Sequence, residues 1–230
     1  MKSLLLAIAL VLASGCATTQ FFTEVDSLAR PELVGNTYTL LPGNEGVDVD
    51  GLEFAAYKAQ TIRALAEIGY VEAPIEDADF AIFVGYGIGA PQTRSYSVPL
   101  FGQTGSTTTG ASTYGTINTI GNTSTINTTT TVNSTPTYGI VGSANKSETV
   151  FSRHLVMTAY DLSVGSDGEY DEVWRTTVTS TGSSGDLRRV FPILLASGVS
   201  HFGSATDQQK KYRFTETNPV VLKIKGQSTQ

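Results

Sequence analysis

Residues 95–145 contain no Asp, Glu, Lys or Arg, and within residues 101–145 there are 15 Thr, 5 Ser, 5 Asn and 7 Gly. A segment so poor in large apolar side chains cannot offset its ordering entropy by burying its own surface. Two states are open to it. It is a disordered insert, or it forms strands, which β-branched threonine favours. The few apolar residues support strands. Tyr114, Ile117 and Ile120 precede Gly121-Asn122, a dipeptide suited to a two-residue hairpin turn, and Ile126 and Val132 follow it. With the turn there, Ile117 lies across from Ile126. Thr-Tyr-Gly recurs at 113–115 and 137–139 and brackets the segment. Two strands alone are marginal in water, so a hairpin here needs the main sheet, a neighbouring chain or a partner. Tyr114, Ile117, Ile126, Val132 and Tyr138 are the candidate partner contacts. Low-charge strands with open edges also suit self-association.

The insert explains an anomaly of the whole chain. Of 230 residues only 16% are charged, against the usual quarter of a globular chain, while the hydrophobic share is an ordinary 40%. The net charge is −6 and no dense Lys/Arg cluster occurs, so the electrostatic footprint of a nucleic-acid binder is missing. The length suits one domain with an addition.

At the N-terminus Lys2 is followed by an apolar run over residues 4–13 and by Ser14-Gly15 before Cys16. The run is too short for a bilayer, which needs about 20 apolar residues, and reads as a secretion signal. Leu12-Ala13-Ser14-Gly15-Cys16 resembles the bacterial lipobox, after which the cysteine becomes the acylated first residue of the mature chain. The alternative is an ordinary signal peptide with a cysteine near the cut. Cys16 is the one cysteine of the chain, which fits a thiol consumed by lipid. The expectation is therefore residues 1–15 as signal peptide and residues 16–36 as lipidated cysteine and tether. Removal of Lys2 leaves 14 basic against 21 acidic residues. Ala17 stands where an inner-membrane retention signal has Asp, so the chain is expected on the outer membrane, lipid-anchored, facing the periplasm.

The pattern from residue 37 to 225 reads as a single α+β domain. Residues 37–41 form a short strand. Asp50 and Glu53 resemble a capping box before a stripe of Phe54, Tyr57, Thr61, Ile62, Leu65 and Ile68, which predicts a helix over 51–68 with Gly69 as a left-handed cap. Period-two alternation over residues 80–88 predicts a strand, with Gly85, Gly87 and Gly89 on one face where another backbone comes close or the strand bends. Residues 151–162 and 172–180 predict an antiparallel hairpin around Asp167-Gly168. Leu187, Val190, Phe191, Leu194 and Leu195 predict a second helix, which either starts a turn before Pro192 or kinks there. Residues 219–225 read as a last short strand.

Little of this carries chemistry. His154 and His201 are the two histidines, neither in a metal spacing, and both read as structural or surface groups. Acidic residues gather at Asp48, Asp50, Glu45 and Glu53 and again at Asp167, Glu169, Asp171 and Glu172. The first group departs from the EF-hand loop and the helix cap accounts for Asp50, and a solvated turn explains the second better than calcium. No Gly-x-Ser-x-Gly elbow is present. The Gly85-x-Gly87-x-Gly89 series departs from the dinucleotide fingerprint. No cofactor, metal or catalytic residue is assigned, and the chain is not expected to be an enzyme.

Several pieces in order resemble a family of bacterial envelope lipoproteins designated domain of unknown function 4136. They are the lipobox at Cys16, the strand closing in Leu41-Pro42, and the helix ending Glu67-Ile68-Gly69-Tyr70. They continue with Ala78-Asp79-Phe80-Ala81-Ile82-Phe83-Val84, the strand ending in Asp161, Val173-Trp174-Arg175, and a helix finishing in His201-Phe202. The likeness covers most of residues 37–203 outside the insert. It implies an α+β fold, a curved antiparallel-rich sheet with two helices on one face, and carries no catalytic residue across. The layer argument agrees, since amphipathic helices need a sheet face to cover. The function expected is a lipid-anchored envelope protein with a non-enzymatic partner-binding or structural role. The alternatives are a self-associating β-rich assembly component that uses residues 101–145, and a periplasmic small-ligand binder or hydrolase.

Overall fold

The computed structural model describes residues 19–162 and 170–227. The chain divides into two units, residues 1–92 with 149–230, and residues 93–148. Its elements are β1 (Gln20–Ala29), β2 (Thr37–Pro42), α1 (Leu52–Ala66), β3 (Val71–Glu72), β4 (Phe80–Ile88), β5 (Gln92–Ile120), β6 (Thr123–Asp161), β7 (Glu172–Gly182), α2 (Leu187–Gly198), β8 (Lys210–Thr215) and α3 (Pro219–Lys225). Among the described residues the architecture is mixed α/β, a strand-rich open sheet with three helices. The sheet order is β3-β2-β4-β6-β7-β1-β8, and β5 pairs with β6 off this path. The β2 strand runs parallel to β3 and β4, whereas the β4–β6, β6–β7, β7–β1 and β1–β8 pairs are antiparallel.

The expected hairpin of residues 151–162 and 172–180 is present as β6 and β7, in a register from Phe151 opposite Gly182 to Tyr160 opposite Glu172. Its Asp167-Gly168 turn lies outside the described residues. Helix α1 buries Phe54, Tyr57, Thr61, Ala64 and Leu65, and Gly69 has the left-handed φ of +89° that its cap position demands. The capping box is corrected. The cap residue is Gly51, without a side-chain hydrogen bond, and the Asp48 carboxylate accepts from the Asp50 amide in a local turn instead. Helix α2 begins at Leu187, where the Asp186 carboxylate accepts from the Arg188 and Arg189 amides, so Pro192 falls five residues into the helix.

Two elements depart from the sequence reading. Residues 219–225 form a helix and not a strand. The Asn218 side chain accepts from the Val220 amide, Pro219 takes the first turn, and Gly226 at φ +74° closes the end. The run of valines and isoleucine hid these boundary signals. Residues 20–29, expected within a tether, form β1, paired with β7 on one side and β8 on the other. Its inward positions are Phe21, Thr23, Val25 and Ser27, and the two hydroxyl residues dilute the apolar alternation by which a strand is recognised.

Those hydroxyls are buried and satisfied. Thr23 Oγ1 lies 2.7 Å from Ser197 Oγ, and Ser197 in turn donates to the Ile193 carbonyl at 2.8 Å. Ser27 Oγ lies 2.6 Å from Thr176 Oγ1 and donates to the His201 carbonyl at 3.0 Å. The pairs fasten β1 and β7 to α2 and the 3₁₀ turn after it. Around them packs one core that joins Phe80, Ile82, Val84 and Tyr86 of β4, Leu155, Met157 and Ala159 of β6, Trp174 and Val178 of β7, and the inward faces of all three helices. Tyr57, Tyr86 and Phe191 form an aromatic triad with centroids 4.5–5.5 Å apart. Burial, with Glu53 adding to it, pushes the Tyr57 phenol up to about 12.

With the Ser197 hydroxyl donating to the Ile193 carbonyl, the Thr23 hydroxyl is left to donate to Ser197 Oγ. Ser197→Ala therefore strands a buried donor and is expected to cost about 1–3 kcal/mol, while Thr23→Val costs less because Ser197 keeps its carbonyl partner. Urea unfolding of the two single variants and the double variant checks this order. Equal losses for the two single changes would contradict it.

Candidate functional site

Two regions offer a surface that the core does not use. The first is built by the strand residues that alternate with the core set. Leu41 of β2, Ala81, Phe83 and Gly85 of β4, and Val156, Thr158 and Tyr160 of β6 line a cavity of about 600 Å³, with Ile75, Leu162 and Tyr170 at its margin. Phe83 and Tyr160 meet edge to face at 5.7 Å. The lining is apolar but for one threonine hydroxyl and two phenols, the usual chemistry of a site for an apolar molecule.

Both ends of the β2–β4 floor are pinned. At one end Asp79 Oδ2 accepts from the Asn36 amide at 2.9 Å, the Thr37 amide at 2.9 Å and the Thr37 hydroxyl at 2.7 Å. At the other, the Asn44 amide donates to the Tyr86 carbonyl at 2.7 Å and accepts from the Tyr86 amide at 2.9 Å, so a side chain completes the ladder where β2 has ended. The strand glycines are explained by this crowding. A Cβ at Gly85 would sit 3.3 Å from Asn44 Oδ1, and one at Gly87 would sit 2.6 Å from the His154 ring. They make room for these neighbours.

The two histidines are not brought together. His154 is exposed on the strand face opposite Leu155, against Gly87. His201 follows α2, where its Nε2 is 2.6 Å from the Tyr212 hydroxyl. Burial, helped by Lys210, lowers its pKa, so the ring is neutral near pH 7. Of the acidic residues considered for calcium, Asp171 pairs with Arg30 at 3.0 Å and Glu172 pairs with Arg175, while Asp167 and Glu169 lie outside the described residues. Among the described residues no group of three or more His, Cys, Asp or Glu is placed to hold a metal ion. Sequence reasoning missed Arg153, which is 2% exposed, donates to Ser180 Oγ at 3.3 Å and lies 6.0 Å from the Phe21 ring centroid. Burial and the neighbouring Arg189 lower its pKa. The alternation of β6 alone marks Arg153 as an inward position.

The second region is the ribbon of β5 and β6 within residues 93–148. Of its two open possibilities the strand form is the one observed. Gly121-Asn122 makes the turn, with Gly121 at φ +62°. Hydroxyl pairs Thr113–Thr130 and Thr119–Ser124, each at 2.9 Å, define a register in which Ile117 stands across from Ile126. By alternation that register puts Ile117, Ile126, Val132 and Tyr138 on one face and Tyr114 on the other. All five are exposed, as are Tyr96, Leu100, Phe101, Ile120, Ile140 and Val141. Among the described residues, β5 and this part of β6 pair with each other alone, so both outer edges are open. Cys16 lies outside the described residues. No helix among the described residues is long and apolar enough to cross a membrane.

No family profile and no curated protein matches the chain. Among solved structures, it is similar to a PDZ domain protein from Parabacteroides distasonis at 11% identity and a TM-score of 0.37, over 91% of this chain and 42% of that one. It is also similar to a singly substituted PelC dodecamer from Paraburkholderia phytofirmans at 16% identity and a TM-score of 0.35, over 80% of this chain and 99% of that one. The chain thus spans less than half the length of the first.

Asp79 lends itself to a direct check. Its hydrogen bonds from Thr37 and Asn36 hold the carboxyl below the ordinary carboxylate range. The folded pKa lies below the unfolded one, so the stabilisation is complete above about pH 4 and is lost as pH falls through the folded value. Asp79→Ala is expected to lower stability by about 1–2 kcal/mol at pH 7 and by less at pH 3, measured by urea unfolding at both. An equal loss at the two pH values would remove the carboxylate from this role.

Proposed function

We propose that this chain is a lipid-anchored envelope protein with a non-enzymatic, partner-binding or structural role, held to the outer membrane through Cys16 and facing the periplasm. The β5–β6 ribbon is its contact element. The observation that carries this reading is a pair of long strands with exposed apolar side chains and two open edges, since unpaired edges are templates for pairing with another chain. The lipobox-like Leu12-Ala13-Ser14-Gly15-Cys16 supports the anchor, and several acyl chains on one cysteine, each CH₂ contributing roughly 0.8 kcal/mol, make it durable. In this reading helices cover one face of a curved sheet, as in the lipoprotein family that the chain resembles. A second reading, a binder of small apolar ligands, is favoured by the cavity over Phe83 and Tyr160.

The ribbon register supplies a clean variant. Deletion of residues 102–120 together with 123–141 keeps the Gly121-Asn122 turn and rejoins Phe101 opposite Gly142. In-cell crosslinking in envelope membranes is expected to capture a specific chain with the intact protein and to lose it with the shortened ribbon. Capture of the same chain by both would move the contact to the sheet unit. Cys16→Ser is expected to abolish palmitate incorporation and release the protein from the membrane fraction, and retention of label would refute the anchor.

A further inference from the structure

We propose that the outward face at the start of β1, built by Phe22 and Arg213, rests on the phospholipid surface to which the chain is anchored and meets anionic headgroups there. The inference rests on the acylation of Cys16 and adds how the anchored sheet unit meets the bilayer.

The first ground is the length of the tether. β1 begins at Gln20, which is already paired with Thr215 of β8, so Ala17, Thr18 and Thr19 are all that separate the sheet from Cys16. Four steps of fully extended chain span at most about 14 Å. A tether reaching residue 36 would leave the unit free to swing away from the membrane. This one keeps the start of β1 beside the headgroups.

The second ground is what stands at that place. In order from the anchor, the outward residues of β1 are Gln20, Phe22, Glu24, Asp26 and Leu28. Phe22 is 55% exposed. Arg213, directly across on β8, holds its guanidinium 4.9 Å from the centre of the Phe22 ring. A ring with a cation stacked on it has an apolar body and a charged tip, and such a pair suits the boundary between headgroups and acyl chains. Edge strands also carry cations as guards against pairing. A guard, however, needs neither an exposed ring nor a place next to an anchor.

The third ground is the order of the charges. Among the described residues no carboxylate pairs with Arg213. The next level along the two strands is neutral, because Lys211 meets Glu24 at 3.2 Å, and Asp26 comes only after it. Glu216, just past the end of β8, is answered by Arg189. The acidic residues Glu45, Asp48, Asp50 and Glu53 follow β2, four strands from β1 in the sheet order and about 19 Å away at the usual strand spacing. A chain with more acidic than basic residues is repelled on average by an anionic surface. The Phe22–Arg213 level, next to the anchor, presents positive charge to it instead.

The experiment uses the full acylated chain in vesicles of phosphatidylethanolamine and phosphatidylglycerol, with part of the acyl chains brominated to quench tryptophan on contact. The native Trp174 is buried and gives a constant background. Phe22→Trp is expected to show blue-shifted emission and to lose about half or more of its added fluorescence to the brominated lipid. Leu28→Trp, on the same face of β1 and also exposed, lies about 20 Å farther along the strand and is expected to keep nearly all of its emission. Arg213→Glu and the milder Arg213→Gln are expected to weaken the quenching of Phe22→Trp about twofold or more in these vesicles and to leave it unchanged in phosphatidylcholine alone, with unaltered circular dichroism. A chain that floats with the vesicles while Phe22→Trp is quenched no more than Leu28→Trp keeps its anchor and overturns the contact. Quenching that ignores Arg213 in every lipid overturns the headgroup contact. A blue shift at Phe22→Trp without bromine quenching means that protein, a second copy or another chain, covers the patch, and it overturns the proposal as well. Absence of acyl mass on Cys16 by mass spectrometry strikes the anchor reading itself and the contact with it.

Discussion

Strand β6 has to satisfy the backbone groups of two neighbours at once, and the sheet unit depends on that constraint. From Arg153 to Tyr160 it is paired with β4 on one side and β7 on the other, and its inward residues Leu155, Met157 and Ala159 are fully buried in the core shared with the helices. A strand enclosed on both edges sets the register of each neighbour. A slip by one residue would carry Phe83 and Gly85 into the core and expel Ile82 and Val84. The placement of the cavity lined by Ala81, Phe83, Val156 and Tyr160 follows from the same register.

Beyond β7 the sheet is completed by a strand held as much by hydroxyls as by hydrocarbon. Thr23 and Ser27 are buried polar groups, tolerable because each meets Ser197, Thr176 or the His201 carbonyl. The benefit is orientation, since a hydroxyl pair has directional demands that dispersion lacks. Helix α2, apolar on its buried side, is set against β1 and β7 at particular points. Arg189, in its first turn, reaches Glu216 with both guanidinium arms, Nε to Oε1 at 2.9 Å and Nη2 to Oε2 at 2.6 Å, and that pairing lowers the Glu216 carboxyl. The contact links α2 to the turn that precedes α3.

In residues 93–148 the physics is different. No side chain there is buried, and order comes from a two-residue turn, β-branched propensity and cross-strand hydroxyl pairs. That is sparse support for strands of this length in water.

Much was legible in local pattern. The alternation over residues 80–88, the helical stripe from Phe54 to Leu65, the β6–β7 hairpin and the Gly121-Asn122 turn with Ile117 across from Ile126 are all encoded by near neighbours in sequence, where periodicity and turn chemistry act directly. What failed to read had its cause far along the chain. β1 was obscured because Thr23 and Ser27 become inward positions only when Ser197, Thr176 and His201 answer them from more than 140 residues away. The helix over 219–225 was obscured because valine and isoleucine suit either element, and what selects the helix there is burial of Val221 and Ile224 in the common core. The apolar cavity and the buried Arg153 belong to the same class, since a cavity is a relation among three strands and no single segment contains it. Local spacing determined the elements and the ribbon turn. Only the tertiary structure decided which polar groups were inside, because burying them is affordable solely where a distant partner closes the hydrogen bond.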